Sequence, residues 1–361
     1  MKIKAKQWKE QLLFCILLIS TIIVFLGTHA ARTYADQSPD APPAPPSQIS
    51  SYENSSILPD YSGMALLEGN RFVVAHDYKL GQKEPRVSIL TANPCCPPQL
   101  VPVQVDWSGV PRVANDLESV AAVPGKTLEF LLIESGSCSG NDKYKPVPCF
   151  IFRMRLESSN GRWRGIIKDV IEMPEYLCEV EGAACLKNKK GDLLLILGER
   201  GSSKNGKIYP ARLFWGYLDL EKNTCDFSAS KSAEPVLFKT CEFDRYRLLD
   251  DDIRSCSGIY IDKKNQLWIS AAVDSADEGP FRSTVAQTGY VDLNKKIPIR
   301  LYDKPRMVLY LNGLKVEAIA APTLYFEQLK TGARVLMSIG TDDERYGGTW
   351  RPLFFPSHKK D

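Results

Sequence analysis

Carboxylates recur along this 361-residue chain at matching places in a repeated phrase. A Ser or Glu followed by a small residue opens an apolar run at Ser62-Gly63, Glu118-Ser119, Glu181-Gly182, Ser257-Gly258 and Glu317-Ala318. After a turn, a second apolar run ends near an acid: Asp77, Glu134, Glu199, Asp274 and Asp342. A Glu at the head of a buried strand is locally disfavoured and asks for a reason. Like charges that converge repel, and a cation relieves them. Hard oxygen ligands suit Ca²⁺ or Mg²⁺. Glu118, Glu181, Glu317, Asp77, Asp274 and Asp342 therefore form a candidate metal set. Paired carboxylates also do general acid–base work, which makes Glu118 and Glu199 candidate catalytic groups. The ordinary alternative for each acid is to cap a turn or pair with a nearby Lys or Arg.

Cations with a chemical use are fewer. Arg200 lies in Gly198-Glu199-Arg200-Gly201, where glycines permit close backbone approach and a guanidinium can fork onto an anion. Arg200 is thus a candidate for catalysis and for substrate binding, against a plain salt bridge to Glu181 or Glu199. Lys315, two residues before Glu317, is a second candidate for binding a small anionic substrate. Histidine is scarce: beyond His29 there are only His76, before Asp77, and His358. His76 is the third candidate for substrate contact. No G-x-S-x-G or C-x-x-C stretch occurs, which argues against a serine hydrolase elbow and a structural zinc site.

Strands must position these groups. The phrase starts are 56, 63, 76 and 60 residues apart, a spacing that indicates a solenoid or propeller. Each unit reads as short apolar runs with period-2 alternation and Gly, Asn or Asp turns. The fold class is all-β, a β-propeller of five blades, with the phrase openings at one mouth of the channel. The 76-residue gap and Met307–Leu311 leave room for a sixth, degenerate blade. The fifth unit lacks a fourth strand, and Ser55–Leu58 is available to supply it and close the ring.

Residues 1–35 read as a signal peptide or N-terminal anchor: four lysines, then an apolar run from Leu12 to Leu26. Residues 36–50 form a Pro-rich linker, and 51–361 the propeller domain. The expected location is periplasmic or extracellular, with membrane contact only through an uncleaved leader. Without the leader the chain is slightly acidic, and nothing in its balance points to nucleic acid. Cysteines fit an oxidising compartment as loop staples: Cys138 and Cys149 bracket one loop, Cys178 and Cys185 another, and Cys225, Cys241 and Cys256 cluster in a long connection.

Ser62-Gly63 leading to His76-Asp77, Asp116 to Ala121, Gly198-Glu199-Arg200-Gly201 and Gly313 to Ala318 resemble the exported propeller proteins called phytase-like or esterase-like. The resemblance implies a propeller with an acidic channel mouth, calcium, and phosphoester or ester hydrolysis. Two other readings stay open: a non-catalytic exported binding module, and a calcium-dependent, lactonase-like sugar enzyme. The chain departs from the resemblance in having no dense basic cluster for a polyphosphorylated substrate.

Overall fold

The computed structural model describes residues 59–79, 81, 85–93, 97–136, 148–177, 179–204, 207–209, 211–230, 252–274, 279–323, 334–343 and 346–355. The leader, the Pro-rich linker and Ser55–Leu58 lie outside these residues, as do Cys138, Cys178, Cys241 and His358.

The chain forms a five-bladed β-propeller. Blade 1 is β1 (Gly63–Glu68), β2 (Arg71–Ala75), β3 (Val87–Thr91) and β4 (Gln99–Pro102). β5 (Gln104–Asp106) crosses to blade 2 and runs parallel to its outermost strand. Blade 2 is β6 (Leu117–Ala122), β7 (Glu129–Glu134), β8 (Phe150–Ser159) and β9 (Arg162–Glu172). Blade 3 is β10 (Val180–Lys187), β11 (Leu193–Glu199), β14 (Arg212–Asp219) and β15 (Thr224–Asp226). A hairpin of β12 (Ser202–Lys204) and β13 (Lys207–Tyr209) rises from this blade between β11 and β14. Blade 4 is β16 (Asp252–Ile261), β17 (Gln266–Asp274), β18 (Arg282–Val291), β19 (Ile299–Leu301) and β20 (Met307–Asn312). Blade 5 is β21 (Val316–Ala320), β22 (Arg334–Thr341) and β23 (Trp350–Phe355).

The inner strands touch in a ring: β1 meets β6, β6 meets β10, β10 meets β16, β16 meets β21, and β21 meets β1. At the closure the Tyr61 N–H donates to the Thr341 carbonyl, 3.1 Å, and the Gly348 N–H to the Pro59 carbonyl, 2.5 Å. Met307–Leu311 is not a sixth blade. It belongs to β20, which pairs with the first half of β18, while β19 pairs with the second half.

The core is five apolar wedges, one between each pair of neighbouring blades. This explains the unbroken hydrophobic runs of the second strands, because a strand buried on both faces needs apolar residues at every position. In β11, Leu193, Leu195 and Leu197 fill the wedge toward blade 2. Leu194 and Ile196 fill the one toward blade 4. In β7, Leu131 and Ile133 face blade 3, while Phe130 and Leu132 face blade 1.

The expected staples are not present among the described residues. Cys185 and Cys225 sit at opposite edges of blade 3, on β10 and β15, and Cys256 is buried on β16. All three are free thiols. Burial pushes the Cys185 thiol up to about 12, so it stays protonated. Cys149 packs against the wedge between blades 2 and 3.

Candidate functional site

Three inner strands carry the same irregularity at the mouth. Leu117 pairs with Glu134 and Ser119 with Ile133, which leaves Glu118 as the extra residue of a β-bulge. Glu181 holds that place between Val180 and Gly182, and Glu317 between Val316 and Ala318. A bulge re-aims a side chain out of the strand's alternation. It lets a Glu leave a buried strand toward the channel without breaking the apolar pattern behind it. Ser257 stands at the corresponding bulge of blade 4.

The small residue that follows has its own cause. A Cβ on Gly63 would come within 2.6 Å of the Ser119 Cα, and one on Gly182 within 3.0 Å of the Gly258 backbone. Inner strands pass so closely here that only small residues fit.

Glu118, Glu181 and Glu317 are all buried. The Glu118 carboxyl is held well above the usual carboxylate range, first by burial, then by the charges of Glu181, Asp77 and Glu317. Asp60 is raised likewise, by burial and then by Asp77, Asp342 and Glu317. Asp77 goes the other way. Burial alone would raise it, but a hydrogen bond from Asp60 and the Lys79 and Lys315 ammoniums hold it below its ordinary value. Oxygens of Asp77, Asp116 and Glu118 lie within 4.8 Å of one another. Lys79 sits against this group, 3.5 Å from Asp77 and paired with Asp116.

Other expected groups have different places. Arg200 lies 3.7 Å from Glu181. Lys315 is 1% exposed, with its ammonium 2.8 Å from Asp342 and 3.4 Å from Glu317. It is a buried counter-charge to these two acids. His76 has no exposed surface. Its Nδ1–H donates to the Asp60 carbonyl, 2.6 Å, and Nε2 accepts from the Ser88 hydroxyl, 2.9 Å. Burial lowers it to about 4, so it is neutral near pH 7. Glu199, at the end of β11, is gripped by the Arg212 guanidinium through both oxygens. The Asp274 side chain lies outside the described ones.

Asp60 and Asp116 join the site without having been singled out as site residues in the sequence. The signal was available: each stands two residues before the residue that opens a repeated phrase, Asp60 before Ser62 and Asp116 before Glu118. Glu179 and Lys315 hold the same offset before Glu181 and Glu317. Asp116 and Glu179 share a left-handed backbone, φ 61° and 48°. The carbonyl at this offset accepts an N–H from the end of the second strand in three blades: Ser135 to Asp116, Arg200 to Glu179, Asp342 to Lys315, at 2.8–2.9 Å.

No protein-family model matches the chain, and no curated protein is similar to it. The phytase-like resemblance therefore rests on its short phrases alone. Solved structures with a similar course of the chain include glycoside hydrolases. An exo-1,5-alpha-L-arabinanase from a bovine ruminal metagenomic library is 13% identical, over 83% of this chain and 94% of that one, with a TM-score of 0.39. A thermostable family-43 glycoside hydrolase is 9% identical over 83% and 90%, TM-score 0.44. A xylan beta-1,4-xylosidase from Bacillus halodurans C-125 is 10% identical over 82% and 53%, TM-score 0.43.

Proposed function

We propose that this protein is a hydrolase that works by carboxylate acid–base chemistry at the acidic mouth, on a neutral, hydroxyl-rich substrate such as a glycoside. One observation carries the reading: Glu118 and Asp77 are neighbours whose environments push them in opposite directions. Two adjacent carboxyls forced apart in this way divide into an acid and a base. Glu118, protonated, gives its proton to a leaving oxygen. Asp77, ionised, serves as the base or stabilises developing positive charge. The charge balance favours a neutral substrate. A phosphoester would meet Glu118, Glu181 and Glu317, while Lys315 and Arg200 already face acids.

A second reading has its own support. The oxygens of Asp77, Asp116 and Glu118 are close enough to share one hard cation such as Ca²⁺, provided that Lys79 swings away. Bound there, the cation would supply a Lewis-acid centre and ionise Glu118.

The test is a screen of chromogenic glycosides and phosphoesters with the full chain, with and without Ca²⁺, beside Glu118→Gln. Glycoside turnover without Ca²⁺, lost in the variant, is the expected result. Turnover that requires Ca²⁺, or of phosphoesters only, favours the cation reading. No turnover of either class under any condition overturns both in favour of a binding module.

A further inference from the structure

Two lysines serve the carboxylates of the mouth, and they differ in burial. Lys315 is sealed, with 1% of its side chain exposed, and its ammonium pairs with Asp342 and Glu317. Lys79 does the same for Asp77 and Asp116, but 55% of its side chain is exposed. An ammonium sealed among acids cannot leave without stranding them. One that reaches in from solvent on a flexible four-carbon stem can.

The Lys79 backbone, by contrast, is held. Arg86 is buried, and its Nη2 donates to the Lys79 carbonyl, 2.6 Å. Next to it the Asp116 N–H donates to the Tyr78 carbonyl, 3.3 Å. Departure of the ammonium therefore needs only side-chain rotation, while Asp77 and Asp116 keep their places.

Glu118 is the carboxyl that Lys79 does not serve. It is 7% exposed, and among the described residues it makes no hydrogen bond or ion pair. Yet one of its oxygens lies within 4.8 Å of oxygens of both Asp77 and Asp116. A buried carboxyl without a donor asks for a ligand. The ammonium engages two of the three acids. A hard divalent cation, which takes about six to eight oxygens, can gather all three.

We propose that Lys79 is a displaceable counter-ion, which holds the site of Asp77, Asp116 and Glu118 until a divalent cation such as Ca²⁺ replaces its ammonium. Competition from Lys79 then sets the affinity of the site and keeps binding reversible. This role rests on the cation reading of the mouth and names the residue that tunes it.

Calorimetric titration of the full chain with CaCl₂, beside mass-spectrometric mapping of lysine acylation, tests the exchange. Lys79→Met should bind Ca²⁺ at least about tenfold more tightly than the wild type, because a unit charge beside the site no longer opposes the ion. Lys79→Arg should show no such gain, since a guanidinium keeps the charge and forks onto a carboxylate. Adding Asp116→Asn to Lys79→Met should abolish the gain. In the wild type, saturating Ca²⁺ should raise acylation of Lys79 and leave that of the exposed Lys126 and Lys264 unchanged. Equal affinity of the wild type and Lys79→Met, or Lys79 acylation that Ca²⁺ does not alter, overturns the exchange and leaves the cation reading standing. A gain that survives Asp116→Asn arises elsewhere and overturns it too. No Ca²⁺ binding in either the wild type or Lys79→Met removes the cation reading, and the exchange with it.

Discussion

Asp77 and Glu134 close the second strands of adjacent blades one residue out of step. Gly63 pairs with Ala75 as Ser119 pairs with Ile133, so His76, not Asp77, corresponds to Glu134. By the same pairing Glu199 and Thr341 match Glu134, whereas Arg200 and Asp342 match Asp77. Successive side chains on a strand point to opposite faces. The first set therefore points into the blades, and the second meets the bulged residues at the mouth.

Substitutions in the two sets should separate stability from activity. Glu134 accepts two bonds from Arg112 and the N–H groups of Asn115, 2.7 Å, and Phe150, 2.9 Å. Glu134→Ala strips all four from a side chain 1% exposed. It should lower unfolding free energy by about 3 kcal/mol in urea, the low end for a broken buried pair because Arg112 keeps some solvent. Turnover by the folded fraction should persist. Asp77→Asn should do the reverse: a loss of about 100-fold or more in kcat, with a small change in the urea midpoint.

The pH dependence of stability follows from Glu118. Its folded-state value lies above its ordinary 4.5, so the folded chain holds a proton that the unfolded chain has released. The stability this proton contributes is present below about pH 4.5 and is lost as pH rises through the folded value. Asp60 and Asp343 have the same sign. Inside that window each such group removes up to about 1.4 kcal/mol per pH unit. Glu118→Gln should flatten the decline by one group's share in melting curves from pH 4.5 upward. An unchanged slope would mean that Glu118 is ionised, as the cation reading requires.

His76 works in the opposite direction. It falls from 6.5 to about 4 on burial, so the unfolded chain takes up its proton first on acidification. Its contribution is complete above about pH 6.5 and lost as pH falls toward 4, a total on the order of 3 kcal/mol. His76→Gln should lower stability at pH 7, because two buried hydrogen bonds are disturbed, yet remove this acid-side loss. Chemical denaturation at pH 7 and pH 5 distinguishes the two effects.

Much of the architecture was legible because each phrase obeys one physical rule at a time. The double-sided wedges required the runs Phe130 to Ile133 and Leu193 to Leu197, and those runs placed the second strands. The recurrence of Glu118, Glu181 and Glu317 marked the mouth. The phase of Asp77 against Glu134 was not legible, since it depends on a bulge, and a bulge leaves no periodic trace in the sequence. Counting acids "at strand ends" merged two sets that pairing separates, which placed Glu199 with Asp342 instead of with Thr341. The β18 strand also begins earlier than its apolar pattern, at Arg282, because β20 pairs with its polar first half. That contact is non-local, and Met307–Asn312 alone does not announce it.

A close backbone approach in the ring, at Gly258, offers the last prediction. A Cβ on Gly258 would fall on the Glu317 carbonyl and lie 2.9 Å from the Ser270 hydroxyl. The carbonyl is backbone and cannot rotate away, so Gly258→Ala must push β16 and β21 apart. That movement strains Ser257, whose hydroxyl donates 2.6 Å to the Val316 carbonyl, and shifts the bulge that aims Glu317. A loss of about 1–3 kcal/mol is expected, as for overpacking a tight core, together with reduced turnover, because Glu317 helps keep Glu118 protonated. Gly161→Ala is the comparison. It lies in the β8–β9 turn with open space around its Cβ and φ of 74°, so it should cost only backbone strain, about 1 kcal/mol, and leave kcat unchanged. Equal effects of the two substitutions on turnover, measured beside urea unfolding, would show that inner-strand spacing does not control the mouth.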